Sequence, residues 1–284
     1  MASRAAPRSP AKDVGPPRAD FVDALAKGLQ LLAAFEHAAA LGNGELAELT
    51  GLPKATVSRL SGTLVTLGYL ERDAHSRKYV VGARVLGLGA TLERDARVQR
   101  MASPPMQQFA RAYGLNVALG TRDGTHVLLL EVARPPRDRL QVSREVGSHV
   151  PLASTSLGLA CLVALPVGER ARVIELLRRS HRGDWTRVRQ RVERAHAERA
   201  RQRFVVLQQS REVGVSGVAV PLVVDRGRSF AFAAVGPTQE LPRPRLTQIV
   251  GPALADLVDG IARELGGSVA GSASPARVPG RPPP

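Results

Sequence analysis

The sequence predicts an α+β chain in two parts: a helical N-terminal head closed by a short hairpin, and a larger C-terminal body of mixed strands and helices. Three observations predict it. From Phe21 to Leu67, apolar residues recur at three- and four-residue spacings, in stretches separated by glycines at 42, 44 and 51 and ended by Gly68. Beyond Leu115 the pattern changes to β-branched runs with helical stretches between them, without strict βαβ alternation, which favours an antiparallel sheet. The length, 284 residues, suits two domains. Hydrophobic residues make up 44% of the chain and aromatics only 4%, so the cores must be built from Leu, Val and Ala.

The elements follow in order. Residues 1–19 hold four prolines and no apolar period, and are expected to be disordered. They contain no apolar run of the signal-peptide kind. Phe21 to His37 reads as a helix with Phe21, Leu25, Leu29, Leu32 and Phe35 on one face. Glu45 to Thr50 reads as a second helix, with Leu46 and Leu49 inward and Gly51 as its left-handed stop. Pro53 opens a third helix at a first helical position, running to about Leu67. Tyr69–Arg72 and Lys78–Val81 form a hairpin around Asp73–Arg77, which completes a domain over 20–81. Gly82 to Arg97 reads as a further helix carrying Val85, Leu86, Leu88 and Leu92, within a linker over 82–100. In the body, 101–266, strands are predicted at Leu115–Thr121, Val127–Ala133, Leu140–Arg144, Val218–Asp225 and Ser229–Val235. Helices are predicted at Ser154–Leu165, Glu169–Arg179, Trp185–Gln202 and Pro244–Leu265, and residues 267–284 as a second disordered tail.

The stretch GELAELTGLPKATVSRLSGTLVTLGYLERDAHSRKYVV, Gly44 to Val81, carries the first functional inference. Two helices joined by a tight glycine-containing turn form a helix-turn-helix, and the hairpin after them makes it winged. Val57, Leu60, Leu64 and Leu67 share one face of the second helix and should pack inward. The opposite face presents Ala55, Ser58, Arg59 and Gly62, with Lys54 and Thr56 near the N-terminus. These side chains are short or basic, so the face can lie in a major groove with Arg59 reaching a guanine edge or a phosphate. His75, Arg77 and Lys78 in the wing can reach the DNA backbone or minor groove. A helical bundle with a polar outer face would share the helix pair. The turn, the small-residue face and the basic wing together favour double-stranded DNA.

Net charge supports this only weakly. The chain carries +15, but residues 1–100 hold 14 basic and 10 acidic residues, so most of the excess lies outside the presumed DNA-binding part. The segment Arg170–Arg203 holds twelve arginines against four acids. It reads first as the solvated face of surface helices, with non-specific DNA attraction as the lesser reading. Cys161 stands alone in an apolar stretch, which excludes an internal disulfide and suggests a core residue in a reducing, cytoplasmic setting. The six histidines show no metal-ligand spacing, so no metal or cofactor is expected. Ser154, Thr155 and Ser156 lack a G-x-S-x-G elbow and a His–Asp partner set, and Ser154 reads as a helix N-cap. No run of 18 apolar residues exists, so no membrane span is expected.

Five segments in order resemble the IclR family of transcriptional regulators. They are FVDALAKGLQLLAAF, LAELTGLPKATVSRLSGTLVTLGYLERD, KYVVGARVLGLG, EVGSHVPLASTSLGLACLVALP and REVGVSGVAVPLVVDRGRSFAFAAVGP, spanning roughly Phe21 to Gly266. The resemblance implies a GAF-like effector-binding domain with a half-open antiparallel sheet and helices on one side. It implies homodimers or tetramers on palindromic operators, a small-molecule effector and no catalysis. FVDALAKGL and the stretch Thr155–Gly158 are similar to the branch that controls aromatic-acid catabolism. By the same matching, the effector site would hold Ser154, Thr155, Ser156, Gln208, Ser216, Gly217, Ala233 and Val235. This sequence departs from the family there: an acidic position falls at Leu207 or Gln208, a Cys or Ser position at Gly217, and two Ser positions at Ala233 and Val235. A less polar effector would fit, and so would a constitutive DNA-binding protein that keeps its second domain only for oligomerisation. A small-molecule enzyme with an accessory domain is the remaining rival.

Overall fold

The computed structural model describes residues 21–90, 93–137, 144–181, 183–208, 214–224, 228–266 and 268–269. The chain divides into two compact units after Arg97. The first tail, 1–19, lies outside the described residues, as do the positions of the strand expected at Leu140–Arg144 up to residue 143.

The first unit runs α1 (Asp23–Ala33), a 3-10 turn (Ala34–His37), α2 (Asn43–Thr50), α3 (Lys54–Thr66), the antiparallel hairpin β1 (Leu70–Arg72) and β2 (Tyr79–Val81), and α4 (Ala83–Ala90). Leu31, Phe35, Leu41, Leu46, Val57, Leu70 and Tyr79 form its core. Gly51 takes the left-handed φ of 70° expected of a helix stop, and its amide donates to the Ala47 carbonyl. Gly82 is needed by close approach: a Cβ there would lie 2.4 Å from the Gly68 carbonyl oxygen.

The expected inward face of the first helix is corrected. Leu31, not predicted, is fully buried beside Phe35, whereas Phe21, Leu25 and Leu29 are 46%, 61% and 57% exposed. Leu49 and Leu67, also expected inward, are exposed. A 3.6-residue period identifies an apolar stripe but not the surface that covers it, and helices this short bury only part of each stripe.

In the second unit, α5 (Glu93–Tyr113) leads into β3 (Asn116–Asp123), β4 (His126–Ala133) and β5 (His149–Pro151). Three helices follow, α6 (Ser156–Ala164), α7 (Val167–Ser180) and α8 (Trp185–Arg201), then β6 (Val205–Leu207), β7 (Val215–Val224) and β8 (Arg228–Pro237). The chain closes with a turn α9 (Arg243–Arg245), a π-helical turn (Leu246–Val250), α10 (Gly251–Leu265) and β9 (Ser268–Val269). The sheet order is β5-β4-β3-β8-β7-β6, with β9 on β7, and every pairing is antiparallel. The pairing of Ser268–Val269 with β7 corrects the expectation of disorder from 267 onward at those two residues.

Alternation along β7 and β8 explains the layers. Val218, Val220, Leu222, Phe230 and Phe232 face one core with α5 and α10, while Ala219, Ala231 and Ala233 face another with α6, α7 and α8. Helices therefore cover both faces of the sheet, not one. Small residues on the second face let α6 lie close, and every residue from Ser156 to Val163 is buried, as suits a helix that is apolar all round. Cys161 lies in that core, and burial pushes its thiol up to about 12.

Two more expectations change. Of the linker helix predicted over Gly82–Arg97, residues 83–90 (α4) and 93–97 (in α5) are helical, 91–92 lie outside the described residues, and α5 continues to Tyr113 through Pro104 and Pro105. Proline removes a donor and normally ends a helix. Here Val98, Ala102, Met106, Phe109 and Ala110 bury a continuous face in the core, which offsets that loss. The N-cap of α6 is Thr155 rather than Ser154: its hydroxyl oxygen accepts the Gly158 amide at 3.0 Å and its O–H donates to the Pro151 carbonyl at 2.8 Å.

Candidate functional site

Local hydrogen bonds set α3, the candidate recognition helix. The Glu45 carboxylate accepts the Gly42 amide at 2.6 Å and the Lys78 ammonium at 2.9 Å, tying α2 to the wing strand β2. Those two contacts, the amide first, hold the Glu45 carboxyl below the usual range. The Asn43 side-chain amide donates to the Lys54 carbonyl at 3.1 Å, fixing the start of α3 against the start of α2. Along α3, Val57 and Ser61 turn inward, while Lys54, Ala55, Ser58, Arg59 and Gly62 are exposed together; Thr56 is half-buried. The wing tip is an Asp73-centred turn, with Asp73 Oδ1 accepting the Ser76 amide and hydroxyl, both at 2.6 Å. His75 and Arg77 are exposed there. The ammonium of Lys78, expected to reach DNA, pairs with Glu45 in the free chain. An opposite charge lies within one side-chain length across the two elements, and the pair sits near the surface.

The second unit contains a mainly apolar pocket of about 90 Å³ between α6 and the sheet. Six of the eight predicted positions line it: Thr155, Ser156, Ser216, Gly217, Ala233 and Val235. Two do not. Ser154 is buried in the turn before α6, because the cap falls one residue later. Gln208, just past the end of β6, lines a different recess. Asn116 from β3 and Arg144 before β5 also line the pocket, and sequence reasoning missed both. Arg144 is the one charged side chain among the described residues lining it. The sequence puts it at the end of a predicted strand, and no local pattern ties it to Thr155. Asn116 opens β3, where the sequence shows only strand composition.

The pocket's polarity is concentrated at few points. Ser216 Oγ lies 2.9 Å from Thr238 Oγ1. The N-terminus of α6 contributes Thr155, Ser156 and Leu157, and a helix N-terminus favours a negative group. Gly217 is dictated by packing: a Cβ there would meet the Ala234 carbonyl oxygen and Val235 Cγ1, each at 2.6 Å. Among the described residues, no group of three or more His, Cys, Asp or Glu side chains could hold a metal ion. Nor is any described helix long and apolar enough to cross a membrane.

Family comparison agrees with both units. The profile of the IclR helix-turn-helix domain matches residues 24–74, and that of the C-terminal domain of bacterial IclR transcriptional regulators matches residues 91–263. The chain belongs to the IclR family of transcriptional regulators. It is 47% identical over 247 residues to the HTH-type transcriptional regulator TsaQ1/TsaQ2 of Comamonas testosteroni, covering 86% of this chain and 89% of that protein. An IclR-family regulator from Brucella abortus shares its structure with a TM-score of 0.72 and 36% identity, over 87% of this chain and 93% of the other. An IclR homologue from Microbacterium hydrocarbonoxydans, solved with 4-hydroxybenzoate, shares the fold with a TM-score of 0.66 at 21% identity, over 85% and 99% of the two chains. The protein is thus a DNA-binding transcriptional regulator with an effector domain, and its homologues are regulators rather than enzymes.

Proposed function

We propose that this IclR-family regulator senses a small aromatic acid. Its carboxylate would be held by Arg144 and the N-terminus of α6, and its ring by Ala118, Leu129, Val132 and Val235. The observation that carries this is the composition of the pocket: apolar walls with, among the described residues, one cationic side chain. A buried site for an anion must supply donors, and a guanidinium and a helix N-terminus do so. The homologue solved with 4-hydroxybenzoate makes that acid the natural first probe. On the DNA side, Lys54, Ala55, Thr56, Ser58, Arg59 and Gly62 enter the major groove, and His75 and Arg77 contact the backbone; Lys78 orients the wing through Glu45. A homodimer, or a tetramer built from two, would read palindromic half-sites roughly 34 Å apart or a multiple of it.

Two measurements test the reading. Calorimetric titration of the full chain with 4-hydroxybenzoate and related acids should show binding that Arg144→Gln weakens and benzamide does not reproduce. Binding unaffected by Arg144→Gln would remove the carboxylate argument, and no binding by any aromatic acid would favour constitutive DNA binding. Genome-wide mapping of bound sites should give sharp palindromes that disappear with Arg59→Ala, a loss of about 1–3 kcal/mol if the contact is bidentate. Unchanged sites would sink the assignment of the recognition face.

A further inference from the structure

We propose that the arginine-walled recess between α8 and β6 is a second ligand site, distinct from the effector pocket, for a compact multivalent oxyanion of the diphosphate class.

The recess has a volume of about 250 Å³. Arg187, Arg191 and Arg194 of α8 line it together with Arg243, and Gln190 and Gln208 add amide groups. Spacings of four and three place the α8 arginines on one face of that helix, in a row about 10 Å long at 1.5 Å per residue. Among the described residues, no carboxylate lines the recess. Two described acids approach it from outside. Asp184 Oδ1 stands 3.9 Å from Arg187 Nε, and Glu198 Oε1 accepts from Arg243 at 2.8 Å while its other oxygen accepts the Val206 amide at 3.0 Å.

Arg178 and Arg179 share Glu175, and Arg189 pairs with Glu193 at 3.3 Å, the usual in-helix neutralisation of a solvated face. Arg194, on the recess side of the same helix, has no acidic partner among the described residues. Among the described residues, four guanidinium groups against two outlying acids leave net positive charge around a hollow with an apolar floor, and an anion there would offset it. The planar guanidinium fork matches phosphoryl oxygens two at a time, and a row longer than one helical turn suits an anion with two charged groups. Concavity favours a small ligand over a duplex, whose phosphates present a convex surface.

The recess is also placed to matter. Leu207 lines both this recess and the effector pocket, so the two hollows share a side chain of β6. α6 likewise supplies Leu159 to the recess and Ser156 and Leu157 to the pocket. Communication with the effector rests on the function proposed above; the anion site itself does not.

The test is titration of the full chain with pyrophosphate at constant ionic strength, followed by calorimetry and by the emission of Trp185, the sole tryptophan and the first residue of α8. Saturable binding of one anion per chain is expected. Arg191→Gln and Arg194→Gln should each weaken it about tenfold or more, with thermal unfolding unchanged for at least one of them, whereas Arg178→Gln on α7 should not. Heat that disappears when chloride replaces pyrophosphate at matched ionic strength supports the site, because screening alone would then be excluded. Binding retained in both recess variants would overturn the proposal. So would failure of pyrophosphate to bind while both variants weaken affinity for random-sequence duplex, since the recess would then be a DNA contact.

Discussion

Gly158→Ala tests how α6 is seated. A Cβ at Gly158 would lie 2.3, 2.5 and 2.6 Å from the carbonyl oxygen, Cα and carbonyl carbon of Leu152. All three are backbone atoms, so no side-chain rotation can make room. The Leu152 backbone is itself fixed, since its amide donates to Thr125 O at 3.0 Å. The same loop is closed by the Thr155 cap, which holds Pro151 and Gly158 together. Overpacking typically costs about 1–3 kcal/mol, and contacts this short argue for the upper part of that range. Weakening the cap adds up to about 1 kcal/mol. Against these stands a gain of about 0.5–1 kcal/mol from replacing glycine within a helix. The net expectation is a loss of about 2–3 kcal/mol in the second unit. Gly260→Ala in α10 is the matched control: a Cβ there meets nothing within 4 Å, so only the helix gain of about 0.5–1 kcal/mol remains. Urea unfolding of each variant, followed by far-UV circular dichroism, measures the difference. If Gly158→Ala proves as stable as Gly260→Ala, the close seating of α6 on Leu152 is wrong.

Three further outcomes follow from the same contacts. Thr155→Ala should destabilise the second unit by about 1–2 kcal/mol in urea unfolding, and Thr155→Ser should restore most of that loss, because only the hydroxyl is needed for the cap. Ser61→Ala should leave the first unit unchanged or more stable by up to about 1 kcal/mol, because Ser61 Oγ is fully buried without a hydrogen-bond partner; a clear loss in thermal unfolding would reveal a bond that the geometry does not show. Stability of the first unit should decline in acid. The Gly42 amide and then Lys78 lower Glu45, and the Ser76 hydroxyl and then the Ser76 amide lower Asp73. A carboxyl lowered in the fold contributes stability that is complete above its unfolded value, near pH 4, and lost as pH falls through the folded value. Unfolding midpoints measured from pH 6 downward should fall less steeply in Glu45→Gln, and an identical slope would show that Glu45 contributes nothing.

The elements whose cause is local were legible in the sequence. Gly51, Pro53 and Gly68 bound α2 and α3 through backbone restrictions that act wherever those residues stand, and the exposed face of α3 followed from spacing alone. Elements whose cause is tertiary were not. β5 and β6 are three residues each and exist because β4 and β7 offer them edges. α5 crosses Pro104 and Pro105 because its apolar face is buried, a gain that no propensity scale contains. Phe21, Leu25 and Leu29 matched a helical stripe, yet Leu31 fills the core, since a period does not choose between two possible sides.

The pocket shows the same division with a consequence for function. Taken from the chain alone, Gly217, Ala233 and Val235 read as lost hydrogen-bonding positions, which leaves both a less polar effector and a vestigial sensor open. In the fold, Gly217 is the only residue type that fits beside the Ala234 carbonyl, and Ala233 belongs to the small-residue surface that admits α6. Their apolar character is therefore explained by how close the helix lies to the sheet, and says little about whether a ligand binds. The polar capacity sits elsewhere, on Asn116, Arg144, Ser156 and Ser216, which the topology gathers from four separate parts of the chain. A decayed pocket would be expected to close over or to lose its charge. This one keeps an open volume and a guanidinium on its wall, so the apolar substitutions argue for a different distribution of donors around the effector, not for its absence.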